Sequence, residues 1–293
     1  MGNSFFMATN LRKRLVRREV TDPLRLMPRD MELLRELGES RFLNTEQILA
    51  LHPGGRRNFL RRLAAMYDLG YLDRPKVQSR SKLPSSHIVY SLGKQGVEAV
   101  YGDAGQYQAV LRRLREIERS LPLIAHAMMI SQFKVCLTLA IRKRDDLKLE
   151  RWLQGYDLKY ALMGRHGQNP ELVPDAFFVL QYNEYEYPVF LEVDRGTMTE
   201  ERFVNKLRLY WRWWKEERIK DTLGFTNFRV LTVTPNETRS ENLRIASKEA
   251  DTNKTGSNMF LFAADKNYSI SKPEAIFEPI WKSPKDDLPK TIL

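Results

Sequence analysis

The stretch 173-VPDAFFVLQYNEYEYPVFLEVDRGT-197 decides how the second half of this chain is read. Two apolar runs flank Asn183, which predicts a β-hairpin with Asn183 in its turn. Strand side chains alternate faces, so Phe190, Glu192 and Asp194 share one face while Val189, Leu191 and Val193 share the other. Asp175 falls on the face of Phe177 and Val179 in the first strand. Pairing about Asn183 brings Asp175 and Glu192 to the same end of the hairpin, with Asp194 one step further along. Three carboxylates at one sheet edge repel one another, and a bound cation reverses that interaction. Oxygen-only ligands of this kind suit Mg2+ or Mn2+. Such an ion polarises a phosphoryl oxygen and lowers the pKa of an attacking water.

The segment that follows, 199-TEERFVNKLRLYWRWWKEER-218, reads as a helix capped by Thr197 or Thr199, with acids in its first turn. Phe203, Leu207, Tyr210 and Trp214 recur at helical spacing and form its buried stripe. Lys206 lies at the margin of that stripe, where an ammonium beside carboxylates can stabilise a phosphorane. A snorkelling lysine with a solvated head is the alternative. The run Tyr210–Trp214 also raises base stacking on single strands. Tyr210 and Trp214 belong to the core stripe, which leaves Trp211 or Trp213 for exposure.

Around this centre, residues 121–143 predict a long helix and "LKLERWLQ" a strand. "FRVLTVTP" and "MFLFAA" predict two more strands, separated by the helix "ENLRIASKEA". The resulting order, α-β-β-β-α-β-α-β, indicates an α/β domain with a mixed central sheet. Beyond Lys266 the Pro- and Lys-rich tail reads as irregular.

The first half has a different pattern. "RDMELLRELGES" predicts a helix ending at Gly38, "LNTEQILALHPGG" a short helix with an Asn or Thr cap, and "RRNFLRRLAAMYDLGYL" a third helix. "YLDRPKV" and "HIVYSLG" predict two strands around the basic stretch "QSRSKLPSS". Three short helices and a basic hairpin make a winged helix-turn-helix. With Phe59, Leu60 and Leu63 inward, the third helix presents Arg56, Arg57, Asn58, Arg61 and Arg62 to a ligand. Arginine pairs with guanine edges or phosphates, and asparagine with adenine. Lys76, Arg80 and Lys82 of the wing would hold the adjacent backbone. A solvated basic face is the alternative, and the helices plus wing favour double-stranded DNA. The chain then divides into a basic arm (1–27), the winged helix (28–105), a connector helix (106–120) and the α/β domain with its tail (121–293).

Charge supports this division. Residues 1–120 hold 22 Lys and Arg against 13 Asp and Glu, so +9 of the net +11 lies there. An anionic partner for that part follows, and nucleic acid is the commonest. The single cysteine, Cys136, excludes intrachain disulfides and thiolate zinc sites, which indicates a reducing, cytoplasmic setting. "LPLIAHAMMISQFKVCLTLAI" is broken by polar residues and reads as a core helix, so no membrane partner is expected. There is no Gly-Lys-Ser/Thr phosphate loop, and the four histidines stand singly.

"PDAF" followed by "EVD" resembles the Pro-Asp…(Asp/Glu)-x-Lys signature of restriction-endonuclease-like nucleases. With an N-terminal winged helix and the run "FLEVDRGT…ERFVNKLRLY", the chain is similar to the replication-relaxation family of plasmid and mobile-element proteins. It is similar also to the restriction-endonuclease-like relaxases that nick plasmid transfer origins. The resemblance covers most of residues 28–265. It implies a DNA-binding, metal-dependent endonuclease, a nickase acting at a plasmid or mobile-element origin in replication or conjugation, with other replication or relaxosome proteins as partners. Asp175, Glu192 and Asp194 would hold Mg2+ or Mn2+. The signature lysine falls at position 194, where this chain has aspartate, and Lys206 would replace it from the next helix. The alternative is a non-catalytic replication or mobilisation factor with an inactive nuclease fold.

Overall fold

The computed structural model describes residues 15–20, 23–80, 87–102, 105–118, 120–163 and 169–293. The chain forms two compact units, Met1–Gln132 and Phe133–Leu293, so the division falls inside a long helix.

In the first unit α1 (Pro28–Ser40), α2 (Thr45–Leu51) and α3 (Arg56–Asp68) precede a three-stranded sheet of order β1-β3-β2. Its strands are β1 (Leu43–Asn44), β2 (Leu72–Asp73) and β3 (Val89–Leu92), followed by α4 (Lys94–Tyr101) and α5 (Gly105–Glu118). The α1 helix does not stop at Gly38 but runs to Ser40. That glycine meets α4, where an added Cβ would stand 2.7 Å from the Tyr101 hydroxyl. Asn44 caps α2 reciprocally, accepting from the Gln47 amide at 2.9 Å while its own amide donates to the Gln47 side chain at 2.8 Å. One arm of the expected basic hairpin is not a strand beyond Asp73, since Lys76–Arg80 winds into a 3-10 turn. The end of the basic arm is not a solvated tail. Leu15 is buried, its carbonyl accepts from the Tyr67 hydroxyl at 2.7 Å, and the Arg17 guanidinium lies 4.5 Å from the Tyr67 ring centre. The helix read as a connector, α5, buries Leu111 and Leu114, and its Glu118 accepts from Ser91 on β3 at 2.5 Å.

The helix α6 (Leu121–Ile141) spans both units. It is the one described helix long and apolar enough to cross a membrane, and 56% of that stretch is buried. Ile124 and Ala127 pack with Phe42 and Val89 in the first unit. In the second unit Phe133 meets Trp152, Phe178, Tyr268 and Trp281.

The second unit is an α/β structure around a seven-stranded mixed sheet of order β10-β9-β8-β7-β6-β5-β4. The strands are β4 (Leu147–Gln154), β5 (Ala176–Tyr182), β6 (Tyr185–Val193), β7 (Arg229–Thr234), β8 (Phe260–Ala264), β9 (Trp281–Lys282) and β10 (Pro289–Lys290). Of these, β6, β7 and β8 pair in parallel and their neighbours antiparallel. Asn183 adopts φ 53° in the β5–β6 turn, a conformation asparagine tolerates. The tail is not irregular throughout, because β9 and β10 complete the sheet and Trp281 and Ile292 are fully buried. Helices α7 (Gly155–Met163), α8 (Glu200–Lys215), α9 (Lys220–Leu223) and α10 (Glu237–Ala246) complete the unit. The hairpin face carrying Phe177 and Phe190 forms a core with α8. Phe190 stands 5.4 Å from Tyr210, 5.8 Å from Trp213 and 5.0 Å from Phe228, ring centre to ring centre. Aromatic pairs of this kind contribute about 1 kcal/mol each beyond their buried area.

The buried stripe of α8 is Phe203, Val204, Leu207, Tyr210 and Trp213; Trp214, expected in it, is exposed. Trp213, three residues after Tyr210, takes the inward place in the last turn, so the Trp214 indole turns outward and donates to the Asn227 side chain at 3.1 Å.

Candidate functional site

Two groups of charged residues were expected from the sequence, one in each unit. On α3, the inward positions Phe59, Leu63, Met66 and Tyr67 leave Arg56, Arg57, Asn58 and Arg61 exposed. Arg61 donates to the Asn58 side chain at 3.2 Å, which aligns the two, and Arg57 makes no salt bridge among the described residues. Arg56 is paired with Glu46 on α2 at 2.6 Å. Arg62, expected on the outward face, is instead half-buried. Its guanidinium holds Asp30 at 3.1 and 2.5 Å and the Arg25 carbonyl at 2.6 Å, which ties α3 to the start of α1. Asp30 is 2% exposed, so Arg62 balances a buried charge. Lys76 is exposed. Lys82 lies outside the described residues, as does the side chain of Arg80.

In the second unit the register Ala176↔Leu191 puts Asp175 opposite Glu192, and the Asp175 amide donates to the Leu191 carbonyl at 3.2 Å. The Asp175 carboxylate accepts from the Val193 amide at 2.8 Å, locking it at the hairpin's end. Glu192, on the Phe190 face, is 3% exposed. It accepts a hydrogen bond from Tyr210 at 2.5 Å and a short charge-assisted one from Lys206, both on α8. Lys206 and Tyr210 are four residues apart and so lie on one side of the helix. Burial pushes the Glu192 carboxyl up to about 7, Asp175 adds to the rise, and Lys206 and Tyr210 pull against it. Burial would lower the Lys206 pKa, but Glu192, Asp175 and Asp194 together outweigh it and hold the ammonium above its usual range. The Tyr210 phenol is raised well above its ordinary value by burial and by Glu192. Next to Glu192 in the sheet register stands Thr232 on β7, whose buried hydroxyl has no hydrogen-bond partner among the described residues.

The Asp194 carboxylate is engaged away from this group. It accepts from the Gly196 amide at 2.9 Å, across a turn in which Gly196 takes φ 78°, and from Arg239 Nε at 2.7 Å. Arg239 comes from α10 and donates also to the Met198 carbonyl at 2.5 Å, pinning the loop between β6 and α8. Asp194 therefore balances a guanidinium where the nuclease signature has lysine. Among the described residues, no group of three or more His, Cys, Asp or Glu side chains is arranged to hold a metal ion. Lys206, by contrast, sits against Glu192 as the sequence led one to expect. Arg239 was missed because it lies 45 residues from its partner. A cap-like "TPNETR" before a helix was its only local signal.

Comparison with curated proteins and with solved structures returned no match. The family model described as replication-relaxation matches residues 34–227. That range takes in most of both units and reaches from α1 past α8, including Asp175, Glu192, Asp194 and Lys206. The chain belongs to the replication-relaxation family.

Proposed function

We propose that this protein binds double-stranded DNA at a plasmid or mobile-element origin and nicks it, in replication or transfer of that element. The observation that carries the reading is the meeting of Asp175, Glu192 and Lys206, from a hairpin end and the next helix, in the place where nucleases of this kind need two carboxylates and a lysine. Arg57, Asn58 and Arg61 supply an exposed face for phosphates and base edges. Asp175 and Glu192 would offer a hard cation two carboxylates; a three-carboxylate cage is not formed among the described residues. When bound, Mg2+ or Mn2+ supplies Lewis acidity at the phosphate and an activated water. Asp175 is oriented by the Val193 amide, Lys206 offers a fixed positive charge to a phosphate oxygen, and Tyr210 holds Glu192 in place.

A second reading rests on a specific feature. Asp194 is closed by Arg239, and both Glu192 oxygens are engaged, one by Lys206 and one by Tyr210. On that reading the domain binds DNA or a replication partner without cutting. A supercoiled plasmid carrying the element's own origin, titrated with Mg2+ and Mn2+, separates the two. Nicking that is lost in Lys206→Arg and in Glu192→Gln, with duplex binding retained, supports cleavage. No nicking by the wild type with either ion leaves the non-catalytic reading.

A further inference from the structure

At the opposite end of β6 and β7 from Glu192 and Thr232 is a cleft of about 400 Å³. The run of aromatics on α8 meets it with two indoles, Trp211 and Trp214, whose ring centres are 5.7 Å apart and nearly perpendicular. Tyr187, Asn227, Arg229 and Met259 also line it. Three features point to a ligand. Trp214 is 41% exposed, which is unusual for a residue whose transfer from water is so favourable. The Trp211 indole N–H is buried and has no hydrogen-bond partner among the described residues. Arg229 is half-buried with no salt bridge among the described residues, its one hydrogen bond here running to the Thr291 carbonyl at 3.2 Å. Burial lowers its pKa and Tyr187 opposes that, so this guanidinium carries a desolvation cost that no salt bridge among the described residues offsets.

A ligand answering these groups has a flat π-face for the indoles and an anionic group for the guanidinium. A nucleotide has both, and the cleft's volume suits one. The surroundings extend the argument beyond one nucleotide. Trp211 also borders a second depression of about 470 Å³ that carries Arg208, Arg212, Lys215 and Lys254 beside the acids Glu216, Glu249 and Asp251. Arg212 is paired with Glu171 and Lys254 with Glu249, whereas Lys215 is exposed and forms no salt bridge among the described residues. Stacking residues alternating with cations along a groove are how proteins hold single strands without reading their sequence.

We propose that this cleft is a subsite for one nucleotide of single-stranded DNA, the base stacked on the exposed Trp214 indole with its edge toward Trp211, and the phosphate on Arg229. It is separate from the duplex face of α3 and from Glu192, and it stands whether or not the protein cuts DNA. The test uses the full chain and a fluorescein-labelled oligothymidylate of about fifteen nucleotides, followed by anisotropy. Trp214→Ala should weaken binding by about tenfold or more, and Trp214→Phe, which keeps a ring, should restore most of it. Arg229→Gln should lower the salt slope by about 0.7, the value for one single-strand phosphate. Duplex affinity should be unchanged in both Trp214 variants. Wild-type oligothymidylate affinity in Trp214→Ala overturns the proposal, as does a wild type that binds no oligothymidylate. Thymidine monophosphate separates the two sources of the same chemistry. If it quenches tryptophan fluorescence saturably and the oligomer binds no tighter, the cleft takes a free nucleotide and the single-strand proposal falls.

Discussion

Arg57 and Arg61 project from α3 into solvent, whereas Glu192 and Lys206 meet behind Tyr210 with 3% of the glutamate exposed. The two places carry similar residues under opposite physics. Exposed guanidiniums keep their hydration, add little to stability and remain available to a polyanion. A carboxylate and an ammonium removed from water lose several kcal/mol of hydration each and regain it only through one another. Substitutions on α3 should therefore change binding and leave the fold alone, while those at the end of β6 should change the fold first.

The largest effect expected is that of Lys206→Met. It leaves Glu192 buried with Tyr210 as its remaining hydrogen-bond donor here, and breaking such a pair costs about 3 kcal/mol. The loss should be full at pH 8, where the carboxylate is forced to stay charged or to take up a proton against the solvent. At pH 5 Glu192 protonates readily and the loss should shrink. Urea denaturation at the two pH values measures both. A loss below about 1 kcal/mol at pH 8 would mean the cluster is wetter than its burial implies.

Next comes Glu192→Gln. The folded carboxyl titrates near 7 against an ordinary 4.5, so between those values the native state binds the extra proton. Stability then falls as pH rises through that window, the reverse of a salt-bridged surface carboxylate. The wild type should lose up to about 3 kcal/mol relative to Glu192→Gln between pH 4.5 and 7, and the difference should be flat outside it. Parallel denaturation curves for the two proteins across the window would place the Glu192 pKa near its ordinary value.

What the sequence made legible follows the same division between short-range and long-range physics. The β5–β6 hairpin, the α8 helix and the strands β7 and β8 were readable because apolar, β-branched or helical patterns persist over five residues or more. Asp175 and Glu192 could be paired because a two-strand hairpin fixes its own register from the turn. Lys206 could be placed because it is four residues before Tyr210 on one helix face. Strands β9 and β10 were invisible because each is only two residues long, too short for alternation to show. Arg239 and Arg62 were beyond local reading for a related reason. Arginine looks the same in sequence whether its partner is a phosphate or a buried aspartate 32 or 45 residues away. The exposure of Trp214 escaped because spacings of three and of four from Tyr210 both continue a helical stripe, and Trp213 rather than Trp214 took the inward place.

Arg62→Ala brings the comparison inside a single helix. Its guanidinium serves Asp30, which is 2% exposed and otherwise accepts from the Met27 amide at 2.7 Å. Removal should cost about 2 kcal/mol, measured as a fall in melting temperature, because a buried carboxylate loses its charged partner. Asp30→Asn in the same background should recover part of that loss, since the amide carries no charge to balance. If Arg62→Ala melts with the wild type, Arg62 belongs with the exposed face after all.

The smallest stability effect is expected from Arg57→Ala combined with Arg61→Ala, and this variant carries the other half of the comparison. Both side chains are exposed, and no salt bridge holds either among the described residues, so the melting temperature should move by no more than about 0.5 kcal/mol's worth. Binding is another matter. A phosphate that no arginine neutralises keeps its counterion, so the slope of log affinity against log salt should flatten by about 0.9 for each such phosphate on duplex DNA. Arg62→Ala, assayed beside it, should keep the wild-type slope once measured below its own melting temperature. An unchanged slope in the double variant would remove α3 from the interface. A flattened slope in Arg62→Ala would show that its bond to Asp30 opens on binding, and that burial in the free protein understates what this helix offers to DNA.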